Sequence, residues 1–100
     1  MAKFAMYGKL TVHPGKRDEF LRLMLEAADN LESMKGCELY ILNEAADDPD
    51  VVWVTELWRN EEAHAASLRD DKVLALIGRC RPLIAGGESI RLRPVGGKGL

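Results

Sequence analysis

Two cysteines in one hundred residues are too few for a disulfide framework. Cys37 and Cys80 stand far apart, with no CxxC or Cys/His spacing that would hold zinc. Both are expected to be reduced structural thiols, which fits an intracellular compartment, and no metal site is expected. Long apolar runs are also missing. Stretches such as Val51 to Val54 fall far short of the ~20 residues of a membrane span. The first residues lack the basic-then-apolar plan of a secretory signal, so the chain is expected to be cytoplasmic, with no membrane partner. Charge of one sign is scarce as well: 14 Lys and Arg face 16 Asp and Glu, for a formal net charge of −2. The bases are scattered rather than gathered into a stripe, which argues against a nucleic-acid partner.

What is present is 47% hydrophobic and 30% charged residues, enough for one globular domain and no second. That domain is expected over residues 1–95. The remaining GGKGL, residues 96–100, reads as a flexible tail, because no GxxxxGK[ST] pattern lies there between a strand and a helix.

Residues 3 to 12 alternate as a strand does. Phe4, Met6, Gly8, Leu10 and Val12 share one face; Ala5, Tyr7, Lys9 and Thr11 share the other. His13-Pro14-Gly15 breaks this run, and His13 is expected at the surface. From Lys16 the period changes to three and four, with Phe20, Leu23, Met24, Ala27, Leu31 and Met34 forming a helical stripe that should end near Lys35-Gly36, with Gly36 as C-terminal cap. CELYILNE (37–44) and VVWVTELW (51–58) read as a strand pair joined by a polar loop with Pro49. Asn60 offers an N-cap to a short helix whose first turn holds Glu61 and Glu62. Arg69-Asp70-Asp71 interrupts it. Val73, Leu76, Ile77 and Cys80 set up another helical stripe, ending around Pro82 to Gly87, and ESIRLRPV (88–95) is the last strand.

This order is that of an α+β, ferredoxin-like βαββαβ sandwich, which places helices on one face of an antiparallel sheet. The other face should then be polar, yet strand 51–58 is apolar on both sides: Val51, Trp53, Thr55 and Leu57 on one, Val52, Val54, Glu56 and Trp58 on the other. Two helical segments can cover one face. The second is expected to be covered by another copy of the chain, in a homodimer.

Val52-Trp53-Val54-Thr55-Glu56-Leu57-Trp58, Glu62-Ala63-His64-Ala65-Ala66-Ser67-Leu68 and Arg81-Pro82-Leu83-Ile84-Ala85-Gly86, with Val12 to Glu19 and Gly36-Cys37, resemble the antibiotic biosynthesis monooxygenase family, in particular its small quinol monooxygenase type. The resemblance covers nearly the whole chain. It implies a dimeric α+β barrel built from two ferredoxin-like sheets packed face to face. It also implies oxidation of a small phenolic or quinol aromatic by molecular oxygen, with no flavin, haem or metal cofactor.

Such chemistry requires a protein that deprotonates the substrate, keeps it dry and stabilises the anion. The resemblance places Trp58 at the family's pocket-aromatic position, with plain core packing as the alternative; Trp53 faces the other way, toward core or dimer interface. His64 stands where polyketide-oxidising relatives carry a tyrosine. An imidazole, ordinarily titrating near ~6.5, takes a phenolic proton at neutral pH more readily than a phenol does. Glu56, among apolar neighbours, must be paired, hydrated or protonated if buried, and either orients His64 or serves a structural bond. Tyr7 and Lys9 on the first strand, and Arg91 and Arg93 on the last, flank strand 51–58 in this topology. Tyr7, Lys9 or Arg91 is expected to supply a substrate hydrogen bond or cation.

Two departures set this chain apart. Val54 stands where polyketide-oxidising relatives have asparagine, and their second-helix arginine has no counterpart near Leu76 and Ile77. The Asn, Trp and His of the haem-degrading branch fall on Gly8, Ser67 and roughly Ile77, which cannot do those jobs. Two further readings remain for the same fold: an isomerase of phosphorylated carbonyl compounds, and a non-catalytic ligand-binding dimer.

Overall fold

A computed structural model of the chain describes residues 2–100. The element order is β1 (Phe4–Val12), α1 (Arg17–Leu31), β2 (Cys37–Glu44), β3 (Val51–Trp58), α2 (Glu61–Ser67), α3 (Asp71–Cys80), one 3₁₀ turn (Arg81–Leu83) and β4 (Ile84–Leu92). The four strands form one antiparallel sheet in the order β2-β3-β1-β4. This is the expected ferredoxin-like arrangement, with the second helical segment split in two.

Local chemistry explains most boundaries. β1 stops at a turn in which Lys16 N–H donates to the His13 carbonyl (3.0 Å), and Gly15 holds φ +80°, where a side chain would be strained. α2 starts because the Asn60 side chain accepts from Ala63 N–H at 2.8 Å. α3 starts because Asp70 accepts from the N–H groups of Lys72 and Val73. The interruption at residues 69–71 is thus a second N-cap.

Three expectations need correction. α1 ends at Leu31, not near Gly36, and Gly36 is no left-handed cap. Its glycine is required by proximity instead: a Cβ there would lie 2.5 Å from the Cβ of Ala63, so the start of β2 touches α2 only because position 36 has no side chain. β4 runs from Ile84 to Leu92 rather than from 88 to 95, since Gly86 and Gly87 pair with Thr11 and Leu10 and belong to the strand.

The register decides which faces meet. Met6 lies opposite Glu56 on one side and Arg91 on the other, and Tyr40 lies opposite Glu56 across the β2–β3 pair. The helix-covered face therefore carries Phe4, Met6, Leu10, Tyr40, Leu42, Val52, Val54, Glu56 and Trp58. Phe20 from α1, fully buried, packs with Val12, Val52, Val54, Cys80 and Leu83; Trp58 packs with Phe4 and Leu31. Each such side chain contributes roughly 1.5–3 kcal/mol by leaving water. The opposite face carries Leu39, Ile41, Trp53, Leu57, Tyr7, Ile90 and Leu92, and among the described residues no helix covers it. Tyr7, Ile41, Ile90 and Leu92 are 43%, 46%, 58% and 47% exposed.

Candidate active site

Between the covered sheet face and the helices lies a cavity of about 260 Å³. Its floor is Met6, Tyr40, Glu56 and Trp58 from the sheet. Met24, Ala27 and Leu31 of α1 form one wall; His64 and Ser67 of α2, Leu68, and Val73, Leu76 and Ile77 of α3 form the rest. The exposed side chains of Leu68 and Ile77 flank its rim.

The strand end places the polar groups. Glu56 and Trp58, two residues apart, share the covered face, and the indole Nε1–H of Trp58 donates to Glu56 Oε1 at 3.0 Å. From the second turn of α2, His64 reaches over them: its Nε2 is 3.8 Å from Glu56 Oε1, and its ring stands edge-on to Trp58 with centroids 5.4 Å apart. Phe4 packs on the other side of the imidazole, at 4.9 Å. The 3.8 Å separation is an ion-pair distance rather than a hydrogen bond, and only when the imidazole is protonated. Burial pushes the Glu56 carboxyl above its ordinary range, with the Trp58 bond and the nearby His64 acting the other way to a lesser degree. The result is a carboxylate and an imidazole, both largely shielded from solvent, at the floor of an otherwise apolar chamber.

Of the residues expected from sequence, Glu56, Trp58 and His64 come together here. Tyr7 and Lys9 do not. They lie on the open face, where Tyr7 packs against the Trp53 ring at 5.5 Å and the Lys9 ammonium stands 5.8 Å from its centroid. Odd positions of β1 share a face with Trp53, and only the even ones reach Glu56. Arg91 lies on the helix side but outside the chamber: it is exposed, paired with Glu61, and stacked over Phe4 at 5.2 Å. Arg93 follows the end of β4 and is exposed. His13 is exposed, as expected. Among the described residues no lysine or arginine lines the chamber.

Tyr40 is the chamber residue that sequence reasoning passed over. Burial first, and the Glu56 charge second, push its phenol well above the ordinary range, so it stays protonated. The signal was its phase: Tyr40 and Leu42 alternate with Leu39 and Ile41, but only the β2–β3 register sets that phase beside Glu56. Among the described residues no group of three or more His, Cys, Asp or Glu is arranged to hold a metal ion, and no helix is long and apolar enough to cross a membrane.

Comparison with known proteins places this geometry in a family. A provisionally assigned antibiotic biosynthesis monooxygenase from Chloroflexus aurantiacus J-10-fl is 39% identical, with a TM-score of 0.88 over 97% of each chain. Another, from Caulobacter crescentus CB15, is 25% identical, with a TM-score of 0.90 over 95% of this chain and 92% of that one. SnoaB from Streptomyces nogalater, a cofactor-independent oxygenase solved as its N63A mutant, shares the fold at a TM-score of 0.85 over 98% of each chain, with 16% identity. Among curated proteins none matches the sequence significantly. The sequence profile of the antibiotic biosynthesis monooxygenase family matches residues 4–79, which span β1 to α3 and every polar group of the chamber, and this chain belongs to that family.

Proposed function

We propose that the protein is a cofactor-independent monooxygenase that oxidises a small quinol or phenolic aromatic with molecular oxygen, and that it works as a homodimer. The observation that carries the reading is the His64–Glu56–Trp58 group at the floor of an apolar, largely enclosed chamber. The imidazole of His64 takes the phenolic proton, the Glu56 carboxylate holds the resulting imidazolium, and Trp58 forms the wall on which the ring lies. The electron-rich anion itself reduces oxygen: a hydroquinone plus dioxygen gives a hydroxyquinone plus water, with every electron drawn from the substrate. SnoaB, of the same fold, is an oxygenase that needs no cofactor.

The isomerase reading has less support, because a phosphorylated substrate calls for a cation and among the described residues no lysine or arginine lines the chamber. Dimerisation is supported by the open sheet face, where Ile41, Tyr7 and Ile90 share one row across the sheet, Leu39, Leu57 and Leu92 the next, and Trp53 packs against Tyr7 at the edge of this largely apolar, partly exposed surface.

The test is oxygen uptake by metal-free, flavin-free protein supplied with a reduced naphthoquinone. Uptake should be first order in enzyme, and His64→Ala should lower kcat by roughly 10²–10⁴-fold, the usual contribution of a positioned general base. No rate above buffer across a panel of hydroquinones would sink the proposal.

A further inference from the structure

Removing a phenolic proton leaves an electron pair and a negative charge on the substrate oxygen, in a chamber that no lysine or arginine lines among the described residues. A hydrogen-bond donor must serve instead. The side-chain donors that line the chamber can be taken in turn. The Trp58 indole N–H is committed to Glu56 at 3.0 Å, and the Ser67 hydroxyl donates to the His64 carbonyl at 2.6 Å. His64 receives the proton. Tyr40 remains, and among the described residues its hydroxyl has no hydrogen-bond partner.

A buried tyrosine hydroxyl ordinarily finds one. Tyr40 is not a sealed orphan either, since no fully enclosed side-chain N or O atom among the described residues is left unpaired. Its hydroxyl therefore keeps some accessible surface, and Tyr40 is one of the residues that line the chamber. Tyr40 stands directly across the β2–β3 pair from Glu56, and both line the shared wall, with Met6 and Met24, between the chamber and a second, more open cavity of about 340 Å³ toward β4.

We infer that the Tyr40 hydroxyl donates a hydrogen bond to the substrate's phenolate oxygen, acting as the chamber's anion-stabilising group in place of a cation. This rests on the phenol-oxidising reading above. The step is a proton transfer: the substrate O–H bond breaks, its proton passes to the His64 imidazole, and the electron pair stays on an oxygen held by Tyr40. Tyr40 keeps its own proton throughout, because its burial first and the Glu56 charge second oppose its ionisation.

The probe is 4-nitrophenol, whose phenolate is yellow and whose phenol is not. Bound to excess wild-type protein, it should ionise at lower pH than in buffer. Tyr40→Phe, which removes only the unpartnered hydroxyl, should move that midpoint back by about one pH unit, a roughly tenfold loss of preference for the anion of the size expected for a hydrogen bond to a charged group. The variant should melt within a degree or two of wild type and show a lower kcat with little change in KM. An unshifted midpoint in Tyr40→Phe overturns the inference and leaves the oxygenase reading standing. A wild-type chamber that does not take up 4-nitrophenol, or that raises its ionisation midpoint, overturns both.

Discussion

Glu56 is costly where it stands. Burial raises its folded-state pKa above the ordinary unfolded value, opposed in part by the Trp58 N–H and then by His64. Below the unfolded pKa, about 4.3, both states hold the proton and nothing is lost. As pH rises through that value and then through the folded one, the unfolded chain releases its proton first, and stability falls until the folded carboxyl has ionised too. Glu56→Gln keeps the shape and an oxygen for the Trp58 N–H but never ionises. Its melting temperature, compared with wild type, should improve as pH rises above about 4, while oxygen uptake is lost; a difference that does not depend on pH would show that the carboxylate carries no such penalty. The same side chain shows what was legible at this scale. An acid among Val52, Val54 and Trp58 is visible in the letters, as is a histidine six residues after Trp58. Tyr40 was not, because its importance depends on which residue of a neighbouring strand it lies against.

Elements were legible where their own periodicity set them. β2 and β3 occupy 37–44 and 51–58 as alternation and the Pro49 loop predict. β4 was misplaced because Gly86 and Gly87 look like a loop, and only pairing with β1 makes them strand. Alternation separates the two faces of β1, but nothing local says which face joins Glu56, so Tyr7 and Lys9 read from sequence as site residues. Gly36 reads locally as the end of α1, whereas its reason lies in α2. That reason is testable: Gly36→Ala forces a Cβ against Ala63 and should destabilise by about 1–3 kcal/mol in urea melts, the range for overpacking. Ala63→Gly in the same chain should recover most of the loss that is not due to the added helical glycine. Strict additivity of the two changes would place the strain elsewhere.

For the whole molecule, the doubly apolar third strand predicted a surface that this chain alone leaves bare, and Ile90 at 58% and Ile41 at 46% exposure lie on it. If the homodimer proposed above forms through that face, sedimentation at micromolar concentration should give one species of about twice 11.1 kDa, and Trp53→Asp should dissociate or unfold it. A monomeric wild type, or a Trp53→Asp protein that stays dimeric, would put the partner elsewhere. The strand order β2-β3-β1-β4 has another consequence, for how the chain is made. β1, a central strand, is synthesised before both of its neighbours, which begin at residues 51 and 84. At ~5–20 residues per second, β1 waits roughly 4–14 seconds for the start of its last partner to be made. Through that interval Phe4, Met6 and Leu10 belong to a strand with an unpaired edge, and a chain terminated before Ile84 never closes it. Truncated products should therefore be held by chaperones or degraded rather than accumulate, and codon or tRNA limitation late in the message should reduce yield more than the same delay placed before β2.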